Sequence, residues 1–283
     1  FGDERMSWAT TTTTQAVSEE NLLEIIKAEV SQELDALQER QRAHLCCLIY
    51  GDAKTGKSGL ALDCRTPKEL DGDAIVMVLD FDNGCEPTWR TNWNSDPNIK
   101  ILNPIVRDEE GFPDLDRTVR RAEAFISIAK DYMAEGKTVK FVFDGVDRWL
   151  RLAIYAMPID KRATKIQKMP REWGVRNLAY EQLVEKVTDG LECDRFFITH
   201  MKDIYENNVI TGRGPNIKEQ TIDKVTQVIE VKSNKFGKKH TSTATIIASK
   251  TNTELVGTSF DFLVIDDNEV TWTSIEELQK GEL

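Results

Sequence analysis

The stretch Gly51-Asp52-Ala53-Lys54-Thr55-Gly56-Lys57-Ser58 constrains this chain more than any other part of it. It matches the spacing G-x-x-x-x-G-K-[ST], follows an apolar run at 46–50 and opens a helical pattern near Lys57, so strand, loop and helix come in the order the motif requires. The glycines let the backbone N–H groups of residues 51–59, from Gly51 through Ala53, Lys54 and Thr55 to Gly59, converge on phosphate oxygens. The helix N-terminus adds positive potential, and the Lys57 ammonium reaches the β and γ phosphates. The Ser58 hydroxyl supplies a ligand to Mg²⁺. The sequence thus predicts binding of a nucleoside triphosphate, read as ATP, with its Mg²⁺.

Such a site needs an acid to support the metal. Residues 139–143 form an apolar strand that ends in Asp144, a carboxylate expected at the C-terminal end of a strand beside the phosphate-loop strand. Asp147 is the alternative. Hydrolysis also needs a group that orients or deprotonates water. The apolar run 75–81 carries Asp80 and Asp82, followed by Asn83-Gly84-Cys85-Glu86. Period-2 alternation predicts Asp80 and Asp82 on one side; Asp82 is the first choice and Glu86 the second, against a solvated acidic turn. A further strand, 195–199, delivers His200 to the same edge, where a polar side chain can sense the γ-phosphate and pass its state to a mobile segment predicted at 203–221.

Around these sites, short apolar runs alternate with helical patterns, the signature of a mostly parallel sheet covered on both faces. The fold class predicted is α/β, a three-layer core with C-terminal β-hairpins and an N-terminal helix. Val119, Ala122, Ile126, Ala129 and Met133 recur at helical spacing and Gly136 offers a stop, which predicts a crossover helix. Near the end, 226–231, 243–249, 262–265 and 270–273 read as strands of hairpins. Residues 1–17 read as a flexible tail and 18–45 as an amphipathic helix, packed on the core or forming a seam to a neighbouring subunit. The core domain runs over 46–273 and an acidic tail over 274–283. The five cysteines show no metal-ligand spacing and read as reduced thiols. The polar start, without a secretory apolar stretch, leads to an expected cytoplasmic location, and no apolar run has the length of a membrane helix.

The formal net charge is −11, which repels a polyanion unless basic residues are concentrated locally. Residues 148–176 hold eight Lys and Arg against Asp160 and Glu172, a local +6.

The stretches LIYGDAKTGKSGLAL, IVMVLDFDNGCEP, VKFVFDGVDR and FFITHMKD, in this order over about 45–205, resemble the RecA-like P-loop ATPases, most closely compact phage-encoded recombination and single-strand annealing ATPases. The resemblance implies a RecA-like ATPase core, a ring or filament of identical subunits, and a location in the host cytoplasm if the protein is viral. It sets Asp82 where the family usually has a catalytic Glu, one methylene longer. It also sets Lys250 where the family reaches a cation into the neighbouring subunit's ATP, with Asn252 where an Arg is often found. Contact with single-stranded DNA would come from loops after the third and fourth strands: Arg148, Trp149, Arg151, Lys161, Arg162, Lys165, Lys168 and Arg171, then Lys202, with Trp149 or Trp173 stacking on bases. A basic surface facing acidic segments of a neighbour is the competing reading of this stretch. Lys232, Lys235, Lys238 and Lys239 with Gly237 read more simply as a charged hairpin tip, which could also touch DNA. The leading expectation is an ATPase that couples nucleotide state to single-stranded DNA in recombination or replication. A DNA-translocating motor and a nucleotide-dependent regulatory protein that does not bind DNA are the alternatives.

Overall fold

The structure is a computed structural model that describes residues 19–39, 44–72, 74–157, 170–207, 209–266 and 269–272. The chain divides into two compact units, residues 1–43 and 44–283. In the first, α1 (Glu19–Glu39) is a single helix whose Leu22, Leu23, Ile25, Ile26, Val30 and Leu34 are all exposed.

The second unit is built on one sheet. Its strands are β1 (Cys46–Gly51), β2 (Ile75–Asp80), β3 (Ile99–Leu102), β4 (Val139–Asp144), β5 (Asp194–Glu206), β6 (Val209–Pro215), β7 (Gln227–Phe236), β8 (Lys239–Ser249), β9 (Ser259–Asp266) and β10 (Glu269–Trp272). The order is β10-β9-β8-β7-β1-β5-β4-β2-β3, with β6 paired to β5. From β7 to β3 every pairing is parallel, and β8, β9 and β10 extend the sheet antiparallel. The helices are α2 (Lys57–Leu62), α3 (Pro67–Leu70), α4 (Cys85–Asn92), α5 (Leu115–Ala134), α6 (Val146–Leu152), α7 (Pro170–Thr188) and α8 (Glu219–Lys224).

Strands β1, β2 and β4 are buried along their whole length, as expected of parallel strands covered on both faces. Alternation divides their side chains between two cores. Cys46, Leu48, Met77, Leu79, Phe141 and Phe143 meet residues of α5, α6 and α7. Cys47, Ile49, Val76, Val78 and Val142 meet α2, Cys85 and Phe262. That is the three-layer α/β arrangement expected. Among the described residues, no helix is long and apolar enough to cross a membrane.

Two expectations change, and a third segment gains a description. The strand ending in Asp144 is not beside the phosphate-loop strand: β5 lies between β1 and β4. The segment 203–221, expected to be mobile, carries regular elements among its described residues. β5 runs on to Glu206 and β6 folds back along it, from Met201↔Pro215 to Glu206↔Val209, as a two-stranded ribbon that continues the sheet edge. Trp149 does not face solvent. It is fully buried, its indole N–H donates to the Tyr180 carbonyl at 3.2 Å, and its ring lies 5.4 Å from that of Phe81. The apolar face of α6 turns this ring into the core, so it cannot stack on a base.

Candidate phosphate-binding site

The C-terminal ends of β1, β2 and β4, and β5 at His200, lie at one edge of the sheet, because the four strands are parallel and in register from Gly51 to His200 and from Asp80 to Asp144. A cleft of about 710 Å³ opens there, lined by Ala53–Gly59 of the loop and α2, by Asp82, Thr88 and Asn92, by Asp144 and His200, and by His240, Leu263, Ile265 and Trp272 from β8, β9 and β10.

Lys57 is buried, and its Nζ donates to the Asp52 carbonyl at 2.6 Å. Burial lowers its pKa, against the raising effect of Asp144, Asp147, Asp82 and Asp52. The Asp52 carboxylate faces outward and receives a two-pronged contact from Arg213 of β6, at 2.6 and 3.0 Å, which lowers its pKa. Nothing in the sequence signals Arg213, because the two residues are 161 positions apart.

Ser58 Oγ donates to Asp144 Oδ2 at 2.6 Å, and the Cys85 thiol donates to the same oxygen at 2.9 Å. Asp144 is fully buried. Burial, then the neighbouring Asp80, raises its pKa to about 6, while the two donors work the other way. The adjacent Ser58 and Asp144 oxygens are hard donors at the cleft wall, the chemistry Mg²⁺ takes, so these residues fit the ion.

Asp80 and Asp82 take different partners. β2 ends at Asp80, whose carboxylate accepts the N–H groups of Gly84 and Cys85 at 3.2 and 2.8 Å and so holds the turn into α4. Asp82 lies past the strand end, where alternation no longer applies. It faces His200, whose Nδ1 is 3.6 Å from Asp82 Oδ2 and 3.2 Å from Asp147 Oδ1. The Asp147 hydrogen bond raises the His200 pKa, against burial. Burial works against ionisation of Asp147, but His200 and Arg151 outweigh it and hold its carboxyl low. Burial and then Asp147 push Asp82 up. Asp147, the alternative to Asp144 in the sequence reading, is the partner of His200. Gly145 permits the approach: its φ is 81°, and a Cβ there would lie 2.9 Å from Asp82 Cγ. The Gly following Asp144 was the available signal.

The four strand ends quoted for the resemblance therefore surround a single cleft. The fold is a three-layer α/β arrangement with the phosphate loop at the C-terminal edge of a mostly parallel sheet.

Two solved structures are similar to it. One is the KaiC-like protein PH0186 from Pyrococcus horikoshii OT3, at 13% identity and TM-score 0.45, over 80% of this chain and 88% of that one. The other is the RadB recombinase, at 12% identity and TM-score 0.45, over 85% of this chain and 96% of that one. No family model and no curated protein sequence matches the chain.

The remaining predicted residues lie elsewhere on the chain. Glu86 is exposed and paired with Arg90 on α4. Lys250 follows β8 at the opposite edge of the sheet, where Ser249 pairs Gln227, and its Nζ donates to the Asp223 carbonyl. It is remote from this chain's own phosphate loop. Arg151 is exposed and bonded to Asp147 at 3.0 Å, and Arg148 is half-buried. Lys202 is exposed on β5. Arg176 stacks over Trp173 at 4.3 Å. Lys161, Arg162, Lys165 and Lys168 lie outside the described residues; Arg171 is the second residue of α7.

Sequence reasoning missed the cover of the site. Trp272 packs against the phosphate-loop helix so closely that a Cβ on Gly59 would lie 2.0 Å from its ring, and it also meets Trp93 and Phe262. The alternating run at 270–273 identified a strand but not the helix it covers.

Proposed function

We propose that the chain binds ATP with Mg²⁺ at this cleft, hydrolyses it, and couples the bound state to single-stranded DNA as a homo-oligomer. The observation that carries the nucleotide reading is the meeting of Lys57, Ser58 and Asp144 under the phosphate loop with the Asp82–His200–Asp147 group across the cleft. On this reading Lys57 leaves the Asp52 carbonyl and neutralises the β and γ phosphates. Ser58 and Asp144 would hold Mg²⁺, which supplies charge stabilisation to the triphosphate when bound. Asp82 orients a water whose oxygen attacks the γ-phosphorus as the bond to the bridging oxygen breaks, and its carboxylate takes the proton. Its raised pKa makes it a better acceptor than an ordinary aspartate. His200, held by Asp147, reports phosphate occupancy to the β5–β6 ribbon.

The DNA reading is supported by the resemblance and by the basic stretch 148–176 in an acidic chain. Lys250, at the far edge, is assigned to the neighbour's ATP. The test is turnover against binding. Asp82→Ala should keep ATP affinity and lower turnover by about 10²-fold or more; undiminished turnover would remove Asp82 as the water-orienting group. The net charge of −11 favours a second reading, a nucleotide-dependent regulator without DNA. Absence of oligonucleotide binding at low salt would establish it over the first.

A further inference from the structure

The β7–β8 hairpin projects from the edge that holds the phosphate cleft. β7 last pairs with β1 at Val231↔Gly51, and Lys232–Phe236 continue beyond it, paired to β8 down to Phe236↔Lys239. Two residues, Gly237 and Lys238, close the turn, with Gly237 at φ 61°, the arrangement in which the first turn residue must accept a positive φ.

The register divides the ribbon between two faces. On one, Val231 and Ala244 are buried, Ser233 pairs Ser242, and Lys235 pairs His240. His240 is fixed by a 2.6 Å hydrogen bond between its Nε2 and Ser233 Oγ, and it lines the phosphate cleft. On the other face, Phe236 stands beside Lys239, with Asn234 and Thr241 behind them. Phe236 is 90% exposed, more than any other large apolar side chain among the described residues. Lys238 and Lys239 are exposed next to it and Lys235 is exposed on the opposite face, with no acid in residues 231–253.

We propose that this tip is a contact for single-stranded nucleic acid, with the Phe236 ring stacking on a base and Lys238 and Lys239 beside it neutralising phosphates. A strand of nucleic acid offers both partners at once, a π-face for an isolated ring and phosphates for the flanking ammonium groups. An anionic membrane fits less well. Insertion needs a continuous apolar surface, whereas the ring has only lysine, asparagine and threonine beside it. Because the opposite face carries His240 into the cleft, occupancy of the cleft acts on the same ladder that holds Phe236.

The proposal rests on the reading of the chain as a single-strand binder, and its test separates the two. A labelled oligothymidylate is titrated with the full chain, with and without a non-hydrolysable ATP analogue, at several salt concentrations. Phe236→Ala should weaken binding about 5- to 100-fold, and Phe236→Trp should restore it. Lys238→Glu with Lys239→Glu should lower the slope of log affinity against log salt by about 1 to 1.5. ATP binding by each variant reports that the fold is intact. If the wild type binds and the tip variants bind equally well, the tip proposal falls and the single-strand reading stands. If the wild type does not bind at low salt, both fall. Phe236-dependent binding to phosphatidylserine vesicles, with oligonucleotide binding unmoved by the variants, overturns it in favour of a membrane contact.

Discussion

The chemistry of the cleft depends on which side chains are held and by what. His200 is held by Asp147, and the pair has a defined pH window. The raised His200 pKa means that its contribution to stability is fully present below the ordinary histidine value and is lost as pH rises through the higher folded value. The lowered Asp147 pKa means that its contribution is present above the ordinary aspartate value and is lost as pH falls through the lower folded one. Asp147→Asn should therefore return the His200 pKa to about 6.5 or below, read from the ring proton shifts by NMR; an unchanged titration would show that Asp147 does not set it. At this scale the sequence was informative where a strand end supplies the residue. Lys57, Ser58, Asp144 and His200 each follow an apolar run and line the cleft. It was uninformative where a contact joins distant segments, as for Arg213 on Asp52 and Cys85 on Asp144. It left Asp147 as the alternative to Asp144, because a carboxylate near a strand end looks the same whether it faces a metal or a histidine.

Elements hold the site by packing. α2 is wedged between β1 and the ring of Trp272, so Gly59→Ala should force the ring or the helix to move and cost about 1–3 kcal/mol. Trp272→Ala in the same chain should cancel much of that increment. Urea denaturation of the four proteins checks this, and strictly additive losses would dismiss the close contact. At the opposite edge Lys140 is buried between Asp194 at 2.6 Å and Glu69 at 2.8 Å, while the other Asp194 oxygen accepts the Leu45 N–H. Lys140→Ala leaves a buried carboxylate without its cation and should cost about 3–5 kcal/mol; a loss under about 1 kcal/mol would show that water already reaches the pair. The buried strands were legible because runs such as IVMVLD are continuous apolar blocks between turn residues. β3 was not, being four residues long with Lys100 inside it. α7 was hidden because its basic and aromatic residues read as a nucleic-acid loop, and Trp149 because composition does not reveal which face of a short helix is inward.

At the scale of the whole molecule the site faces one edge of the sheet and Lys250 the other. A cation so placed can complete a site only on another copy. Mixing Lys57→Ala with Lys250→Ala chains should then restore part of the ATPase activity that each lacks, and no rescue at any ratio would return Lys250 to a structural role. The charge is divided in the same way, with a basic stretch at 148–176 and basic hairpin lysines on a chain of net −11, so binding of single strands should fall steeply with salt. All of these effects presuppose an occupied phosphate loop. The direct measurement is calorimetric titration of the purified chain with ATP and Mg²⁺, beside Lys57→Ala. Saturable one-site binding at micromolar to millimolar ATP, lost in the variant, is the predicted result; equal binding by both proteins, or none by the wild type, would contradict it.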